Sequence, residues 1–486
     1  MTGAVPWCYM ARRTKIIASV GPACSDAATM TALIEAGVDV WRLGLAHGTL
    51  DEQVETFRRL RAISEESGRH IGILVDLPGP KVRCMAFPEG GCDIAQDAVI
   101  SLGIDGDAST ADRIVVDYEG LLTDVGPGDQ LSFGDGNVVL VVEDRASNAL
   151  KTRVLHGGHL EGRPGLHVDS SKLRMTTPTP NDLKLADTFI DLGTDMVALS
   201  FVRSAHDMRR LGVEPHPRGP LLVAKIETNA AVENLDGIIE ASSAVMVARG
   251  DLGAECDIEE LPHLQKRIIE ACVAHGRPAI TATQMLESLL HSPVPTRAEA
   301  SDIANAVFDG TSAVMLSGET AIGHDPVNAV RTMARITERA DERFDYEAWW
   351  NRLLSVRRLD DRAADYLRVT DGITQSASRL ATELGAQAII CLSRSGFTAR
   401  SMARFRPSMP LLGLTPEPRT AMQLSLSWGT RPLVFGERLT PAESALEAVH
   451  AAARSGMVRS GDMVVVVSGS SPESHATDNL RAMRVP

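Results

Sequence analysis

Aromatic residues, cysteine pairs and positive charge are all scarce in this sequence of 486 residues. Phe, Trp and Tyr make up only 4% of the chain, which leaves too few rings for an extended surface that stacks nucleic-acid bases. Acidic residues outnumber basic ones, 63 against 49, for a net charge of −14. Because phosphate backbones and anionic lipids repel such a chain, we expect neither a nucleic-acid partner nor a membrane partner.

The seven cysteines lack the spacing of a zinc site or a disulfide framework. Their number is odd and no two form a CxxC pair, which favours isolated thiols in a reducing compartment. No apolar run approaches the ~20 residues that cross a bilayer. The basic pair Arg12-Arg13 follows a weak apolar stretch, the reverse of a secretory signal. The sequence therefore predicts a cytoplasmic protein.

Eight short apolar runs alternate with amphipathic helical patterns between Thr14 and Phe344, apart from one interruption. Strands that are apolar throughout need cover on both faces, so the alternation favours parallel strands with helices packed around them. Eight such units predict a (β/α)8 TIM barrel. The predicted strands are Ile16–Val20, Val38–Leu43, Ile71–Asp76, Met196–Phe201, Leu221–Ile226, Val245–Ala248, Ala279–Ala282 and Ala313–Leu316.

Two further regions depart from the barrel pattern. From about Cys84 to Lys172, helical periodicity gives way to turn signals such as the GDG at Gly134–Gly136, which indicates a small inserted β-barrel domain over the barrel mouth. After the charged linker Arg357–Arg362, strands and helices alternate again, as in a doubly wound α/β domain. Its predicted strands are Ala388–Leu392, Leu411–Leu414, Leu433–Phe435 and Met463–Val467. The predicted domains are the discontinuous barrel 1–84 and 172–345, the inserted domain 85–171 and the C-terminal domain 363–486.

Polar side chains collect where the predicted barrel strands end, the edge at which barrels of this kind carry their chemistry. Glu227 and Asp251 follow neighbouring strands, and two carboxylates with open positions suit Mg²⁺ or Mn²⁺. Lys225 and Arg42 add fixed positive charge for an anion. The strand-end residues are Arg42, Asp76, Ser200, Arg203, Lys225, Glu227, Asp251, Thr283, Ser317 and Glu319.

A structural explanation exists for each of these residues taken alone, since a single carboxylate after a strand is commonly a helix cap or a salt-bridge partner. Packing gives no reason, however, to place seven polar strand ends on one rim. We therefore interpret the rim as a site for metal-assisted chemistry on an anionic substrate.

The motifs at these strand ends resemble those of the pyruvate kinase family, in the family's order and over nearly the whole chain. The opening strand region matches as well, with RRTKI at Arg12–Ile16 and GPA at Gly21–Ala23. The strand-end motifs are VALSFVR at Val197–Arg203, KIE at Lys225–Glu227, MVARGDLG at Met246–Gly253, ATQMLES at Ala282–Ser288, PTRAE at Pro295–Glu299 and MLSGET at Met315–Thr320.

The resemblance implies a glycolytic enzyme that transfers a phosphoryl group from phosphoenolpyruvate to ADP, giving pyruvate and ATP with Mg²⁺ or Mn²⁺ as cofactor. It implies a homotetramer, a lid formed by the inserted domain, and a C-terminal domain for effector binding and oligomerisation. It assigns Glu227 and Asp251 to the metal. The implied catalytic residues are Lys225, Arg42 and Thr283, the implied substrate-binding residues are Arg42, Lys225, Arg249, Gly250, Asp251, Thr283 and Ser317, and the implied nucleotide-binding residues are Pro22, His47 and Arg83.

Several positions depart from the family's pattern on the potassium and nucleotide side. Gly44 and Ala46 replace an Asn and a Ser that help to hold K⁺ and nucleotide phosphates. Lys81 stands where potassium-dependent members carry Glu, and a lysine there accompanies independence from K⁺ in the family. Because a tethered ammonium can supply the charge of the ion, we expect Lys81 to replace K⁺, which is then not required. The alternative is a solvated loop lysine.

The inserted and C-terminal domains carry departures of their own. Pro164 replaces the family's lysine that reaches nucleotide phosphates, although the adjacent Arg163 has a guanidinium suited to that task. In the C-terminal domain, Ser393, Arg394, Ser395, Gly396 and Thr398 match the family's loop for a phosphorylated effector, at a helix N-terminus that can cradle phosphate. Helix capping by Ser395 and Thr398 explains these hydroxyls equally well.

Two other functions stay open from the sequence. One is a lyase or aldolase acting on pyruvate or oxaloacetate with the same metal carboxylates, which the inserted domain argues against. The other is a catalytically weakened paralogue with a regulatory or assembly role, which Gly44, Ala46 and Pro164 favour and which the intact Lys225 and Asp251 oppose.

Overall fold

The structure is a computed structural model that describes residues 12–134, 136–168, 172, 174–356, 364–436, 441–469 and 477–486. Asp135, at the centre of the GDG turn, and the charged linker Arg357–Arg362 lie outside the described residues. Among the described residues, all six cysteines are free thiols. Across the same ranges, no helix combines the length and apolarity that crossing a bilayer requires.

Eight strands pair in parallel around a closed barrel, which confirms the expected (β/α)8 architecture. The barrel closes at the first strand, which pairs with both the second and the eighth. In chain order, the barrel strands are Lys15–Ser19, Val40–Gly44, Gly72–Asp76, Met196–Leu199, Leu221–Ile226, Ala244–Ala248, Ala279–Ala282 and Ala313–Leu316.

Alternation along each strand decides which side chains line the barrel interior. On the fifth strand, Leu221 and Val223 belong to the interior cluster, whereas Ala224 and Ile226 pack against the surrounding helices. Successive side chains of a strand point to opposite faces, so Lys225 continues the interior face at the end of this strand. The same alternation places Ser19, Arg42, Asp76 and Ser200 above the interior residues Ile17, Val40, Leu74 and Ala198.

The longer barrel helices bury one apolar face each, and several of them begin at capping boxes. Thr49, Thr179 and Thr296 each accept a backbone N–H three residues ahead, and the acidic residue at that position reaches back to the cap. The helices are Ala27–Ala36, Leu50–Glu66, Pro180–Asp191, Ala205–Arg209, Asn229–Glu233, Leu235–Glu240, Arg249–Gly253, Leu261–Ala274, Arg297–Asp309, Gly318–Ala321, Pro326–Glu342 and Tyr346–Val356, with 3-10 turns at Pro22–Cys24 and Glu287–Leu290.

The inserted segment after the third barrel strand is built almost entirely of short strands, as expected. It forms a six-stranded sheet and a two-stranded sheet around its own core, which includes Phe133 and Leu140. Its elements are the strands Cys92–Ile94, Val99–Gly103, Arg113–Val115, Gln130–Phe133, Val138–Arg145, Ala149–His156, Gly158–Leu160 and Leu166–His167, and the helix Leu121–Asp124.

The C-terminal domain is a five-stranded sheet with a separate hydrophobic cluster on each face, which confirms the expected α/β arrangement. Four strands are parallel and the edge strand Asn479–Arg484 is antiparallel. In spatial order, the strands are Thr430–Val434, Leu411–Thr415, Ala388–Leu392, Met463–Ser468 and Asn479–Arg484, and the helices in chain order are Asp365–Glu383, Phe397–Ala403, Pro418–Leu424 and Pro441–Arg454.

One buried carboxylate fastens the start of the barrel to its last long helix. Asp341 accepts hydrogen bonds from the backbone N–H of Arg13 at 2.7 Å and of Thr14 at 2.8 Å, and from the Thr14 hydroxyl at 2.9 Å. It is 1% exposed, so water cannot replace these contacts. Because the first strand closes the barrel against the eighth, the carboxylate holds the seam of the closed sheet.

We expect Asp341→Ala to lower the free energy of unfolding by roughly 2–4 kcal/mol, because it leaves buried donors without an acceptor. Asp341→Asn retains one acceptor oxygen, so its loss in the free energy of unfolding is expected to lie between zero and that of Asp341→Ala. Glu342→Ala, which removes an exposed partner of Arg339, serves as the control and is expected to change stability by about 0.5 kcal/mol or less. Urea unfolding followed by tryptophan fluorescence measures the three values, and equal losses for Asp341→Ala and Glu342→Ala would contradict the assignment.

Candidate active site

Lys225 lies at the centre of the polar rim. Its Nζ is 3.3 Å from Asp76 Oδ1 and 2.9 Å from Glu227 Oε1, and it donates a hydrogen bond of 2.7 Å to Ser200 Oγ. Burial alone would lower the pKa of Lys225, but the charges of Asp76 and Glu227 outweigh burial and raise the pKa above its usual value. The side chain is therefore a permanent cation fixed by three partners from the third, fourth and fifth strands.

Arg42 extends this network to the second strand. Its Nε donates to Asp76 Oδ2 at 2.7 Å and its terminal nitrogen donates to Ser19 Oγ at 2.9 Å. Burial would raise the pKa of Asp76, but Lys225 and Arg42 more than offset it and hold the pKa below the usual range. Arg42 remains partly exposed, so its guanidinium also faces the mouth of the barrel.

Asp251 follows the sixth strand at the start of the short helix Arg249–Gly253. Lys81 Nζ donates to Asp251 Oδ1 at 2.7 Å, and His167 Nδ1 of the inserted domain lies 3.9 Å from the same oxygen. Burial would raise the pKa of Asp251, but Lys81 and Lys225 outweigh burial and lower it. Lys81 is thus an ion-pair partner at the rim and not a solvated loop lysine.

Glu227 is almost completely buried and its carboxylate is fixed from two sides. Oε2 accepts the backbone N–H of Phe201 at 2.7 Å, while Oε1 faces Lys225. Phe201 has a φ of 54°, an uncommon backbone conformation for a bulky residue, which turns its N–H toward the site. Burial and the negative charge of Asp251 raise the pKa of Glu227, and Lys225 opposes them.

The donor set of Glu227 and Asp251 fits a hard divalent cation. The two carboxylates are close enough for the charge of Asp251 to raise the pKa of Glu227, a repulsion that a cation held between them would relieve. Within the described ranges, no three histidine, cysteine or carboxylate side chains form a complete metal cage. Such an open site suits a cation that takes its other ligands from substrate and water.

Arg249 turns its side chain away from the rim and braces the loop after the seventh strand. It donates to the carbonyl oxygens of Thr283 at 2.6 Å and Gln284 at 3.1 Å, and pairs with Asp302 at 2.6 Å. Thr283 and Gln284 both have positive φ, at 66° and 52°. Arg249 therefore holds a strained backbone that presents Thr283 to the rim, a role that its position in the sequence does not predict.

Thr283 and Gly250 meet directly, and Ser317 follows the eighth strand, which pairs with the seventh strand that precedes Thr283. Thr283 Oγ1 accepts the N–H of Gly250 at 2.9 Å and donates to the carbonyl of Ala282 at 2.6 Å. The N–H of Ser317 donates to Glu319 at 2.7 Å, and the other oxygen of Glu319 accepts the N–H of Leu286 at 2.9 Å. For Glu319, the structural explanation of a strand-end carboxylate is therefore sufficient.

His47 and Arg83 form an electropositive edge beside Arg42. Partial burial, followed by the charges of Arg83 and Arg42, lowers the pKa of His47. Pro22 is exposed at the start of the 3-10 turn after the first strand. Arg163, which is adjacent to Pro164, is already engaged within the inserted domain, where it pairs with Asp117 at 3.0 Å.

The predicted effector residues lie between the strand Ala388–Leu392 and the helix Phe397–Ala403, and most of their polar groups have partners within the domain. Ser393 N donates to the carbonyl of Leu414 at 3.0 Å, and Arg394 pairs with Glu417 at 3.4 Å. Thr398 Oγ1 lies 2.8 Å from the hydroxyl of Thr477. Gly396 has a φ of 75°, a left-handed turn that glycine favours.

Sequence reasoning placed the charged residues of the rim but missed Ser19, His167 and the bracing side chain of Arg249. Ser19 ends the first strand two residues after Ile17, whose side chain lies in the barrel interior. Alternation along the strand therefore predicts that Ser19 also faces the interior, at the rim. His167 and Arg249 give no such signal, because their contacts join segments more than thirty residues apart, at Asp251 and at Thr283.

Comparison with known proteins shows the family of the chain. The family model "Pyruvate kinase, barrel domain" matches residues 11–330, and "Pyruvate kinase, alpha/beta domain" matches residues 371–483. A pyruvate kinase of Agrobacterium vitis is 38% identical over 97% of this chain and 98% of its own length. Those of Bacillus licheniformis and Corynebacterium glutamicum are each 37% identical over 97% of this chain, covering 80% and 97% of their own lengths. The chain belongs to the pyruvate kinase family, whose members use a divalent metal.

Proposed function

We propose that this chain transfers the phosphoryl group of phosphoenolpyruvate to ADP, giving pyruvate and ATP, with Mg²⁺ or Mn²⁺ at Glu227 and Asp251. The observation that carries the proposal is the ammonium of Lys225, fixed between Asp76, Glu227 and Ser200 beside these two carboxylates. Phosphoryl transfer asks an enzyme for positioning and charge stabilisation more than for covalent chemistry, and a fixed cation at this point supplies both.

Lys225 would neutralise negative charge on the transferring phosphoryl group and on the enolate oxygen that it leaves. Because Asp76 and Ser200 already orient the ammonium, little reorganisation is needed as charge develops. Arg42, whose Nε is held by Asp76, would direct its exposed nitrogens to phosphoryl oxygens. A divalent cation held by the two carboxylates would polarise the phosphoryl and carboxylate oxygens of the substrate.

The other end of the substrate would lie at the start of the helix Arg249–Gly253. Backbone N–H groups at Arg249, Gly250 and Asp251 are suited to the substrate carboxylate, since helix N-termini favour anions. Thr283 would stand near the face where the enolate takes up a proton, and Ser317 would contribute to substrate binding. Accepting the carboxylate would require Gly250 to give up its hydrogen bond to Thr283 Oγ1.

Pro22, His47 and Arg83 would bind the nucleotide at the open side of the rim. Arg83 and Arg42 give this edge positive charge, and the lowered pKa of His47 leaves its ring neutral and able to accept or donate one hydrogen bond. Lys81 would supply the monovalent charge that other members of the family take from K⁺, since its ammonium is already paired with Asp251.

We also propose the regulatory and assembly properties that the family resemblance implies. Residues 85–171 would form a lid, and residues 363–486 would bind a phosphorylated effector at Ser393–Thr398. A homotetramer is supported by the large apolar side chains that the barrel leaves exposed at Ile258, Val294 and Ile322. A cytoplasmic location is supported by the six free thiols.

A single assay separates the proposal from the lyase and the weakened paralogue. Pyruvate release is followed from phosphoenolpyruvate and, in parallel, from oxaloacetate, each with and without ADP and Mg²⁺. Release that requires both supports the phosphotransferase, whereas release from oxaloacetate without ADP supports the lyase. Absence of release under every condition supports the weakened paralogue and contradicts the proposal.

Lys225→Met is expected to lower kcat by at least about 10³-fold, the scale on which removing one transition-state charge donor acts. Binding of Mn²⁺, followed by electron paramagnetic resonance, is expected to persist because Glu227 and Asp251 remain. Lys184→Met, at an exposed helix position, is the matched control and is expected to leave kcat unchanged. A folded Lys225→Met variant with near-normal kcat would remove Lys225 from the mechanism.

Replacing tetramethylammonium chloride by KCl at constant ionic strength is expected to raise kcat/KM by less than about 2-fold, because Lys81 already supplies the positive charge of the ion. Two opposite charges ~4 Å apart attract by about 4 kcal/mol at an effective dielectric near 20, before desolvation is subtracted. Lys81→Met is expected to lower kcat/KM and to gain a response to K⁺. Steady-state rates in the two salts measure both effects. A large activation of the unmodified chain by K⁺ would refute the role of Lys81.

Arg83→Ala is expected to raise KM for ADP by roughly 10-fold or more, the usual range for a lost charge-assisted hydrogen bond, with KM for phosphoenolpyruvate changing by less than about 3-fold. Arg113→Ala is the control, since Arg113 is an exposed arginine of the inserted segment whose side chain donates to the carbonyl of Asp105. Initial rates with each substrate varied in turn give the two KM values. An equal rise in both KM values would show that Arg83 only adds positive charge to the site and does not bind the nucleotide.

A further inference from the structure

Four arginines surround a small cavity where the barrel meets the C-terminal domain, at the end of the barrel strands opposite to the rim. Arg277 precedes the seventh barrel strand, and Arg400, Arg404 and Arg406 lie in or after the helix Phe397–Ala403. The cavity measures about 10 Å³, which is room for a single water-sized guest. We name it the four-arginine cavity after these residues.

Several nitrogens of these arginines lack an acceptor. Within the described residues, the buried atoms without a hydrogen-bond partner include Arg277 Nε, Arg404 Nε, Arg406 NH1, and both Nε and NH1 of Arg400. Arg400 is only 3% exposed and Arg406 only 2%, so bulk water cannot satisfy them. Buried charged donors are normally paired, and so many unpaired donors around one void indicate a missing acceptor.

The protein supplies too little negative charge at this point. Arg404 contacts Asp371, whereas Arg406 donates to the carbonyls of Gly310 and Thr311. Arg400 bonds the carbonyl of Ser395 at 3.0 Å and the ring Nε2 of His216 at 2.7 Å.

The acidic groups and histidine nearest the cavity do not remove the deficit. Burial, then the charges of Arg400 and Arg277, lowers the pKa of His216 to about 3, so this ring is neutral. Asp341, which faces Arg406, is committed to Arg13 and Thr14, and Glu240 acts on Arg277 only as a weaker, more distant charge.

The electrostatics agree with this geometry. Burial, followed by the charge of Arg277, lowers the pKa of Arg400 to about 9, and burial lowers that of Arg404 and Arg406 to about 10 each. Guanidinium groups resist deprotonation strongly, so all four arginines stay charged. Their positive charges therefore repel one another in the interior of the protein. An anion among them would reduce the repulsion and accept hydrogen bonds from the unpaired donors that face it.

We propose that the four-arginine cavity binds one inorganic anion of halide size, chloride in ordinary solutions. A monatomic ion is the anion closest to this size, since a tetrahedral oxyanion with its oxygens is much larger than a water-sized void. The proposal does not depend on the catalytic function. The anion would tie the barrel to the C-terminal domain, because Arg277 belongs to the first and the other three arginines to the second.

Chloride binding is tested on the full chain by ³⁵Cl NMR line broadening and by thermal unfolding, with gluconate replacing chloride at constant ionic strength. We expect saturable line broadening and a midpoint of unfolding that rises by roughly 2 °C or more with chloride. Bromide is expected to compete, whereas sulfate at equal ionic strength is not. Sulfate or phosphate that competes as well as bromide would overturn the halide-sized site.

Arg400→Gln removes two of the unpaired donors of a residue that lines the cavity and is expected to reduce chloride affinity at least 5-fold. Arg379→Gln, on an exposed helix face where the arginine pairs with Glu383, is the matched control and is expected to keep the response of the unmodified chain. An equal chloride response in Arg400→Gln and Arg379→Gln would overturn the proposal. If Arg400→Gln does not fold, the more accessible Arg277→Gln takes its place with the same expectation.

Crystals soaked in NaBr provide the independent measurement. An anomalous bromide peak within hydrogen-bond distance of at least two of the four arginines is expected. Bromide found only at surface sites, or in the cavity without any saturable effect in solution, identifies an adventitious ion only and overturns the proposal.

Discussion

The buried ammonium of Lys225 is the interaction on which the candidate active site depends. Asp76 ends the third barrel strand and Glu227 follows the fifth, and their side chains are 3% and 1% exposed. Neither carboxylate would remain charged at such burial without a cation beside it. The same ammonium bonds Ser200, and Asp76 in turn fixes Arg42. One cation therefore orders side chains from four consecutive strands, so the rim has its shape before any substrate arrives.

Much of this arrangement follows from a simple property of strands. Leu221, Val223 and Lys225 alternate along one face, and a parallel barrel brings the corresponding ends of all eight strands to one rim. Strand positions were therefore predictable within a few residues. The edge strand Asn479–Arg484 was not, because it pairs along one edge only and its mostly polar sequence carries little apolar periodicity. The strand Thr430–Val434 begins earlier than predicted for the same reason, since Thr430, Arg431 and Pro432 are not an apolar run.

Contacts between distant segments set the limit of the sequence-based reasoning. Arg249 follows the sixth strand, as a rim residue does, yet its guanidinium supports the positive-φ backbone at Thr283 instead of facing the cavity. Lys81 was predicted to supply charge near the rim, but its pairing with Asp251 depends on how the inserted segment leaves and re-enters the barrel. Composition, motif and alternation specify which residues reach the rim, whereas tertiary geometry decides which partner each of them takes.

The two buried clusters of this molecule balance charge in opposite ways. At the rim, Lys225, Arg42 and Lys81 meet Asp76, Glu227 and Asp251, so cations and carboxylates are matched and a divalent cation adds the excess that an anionic substrate needs. In the four-arginine cavity, the cations outnumber the carboxylates that contact them, in a chain whose net charge is −14. Acidic residues on the surface cannot compensate for the missing negative charge in the interior, because a buried charge must be neutralised by groups in direct contact with it. The acceptor must therefore be at the cavity itself, and an anion from solution is the smallest change that provides it.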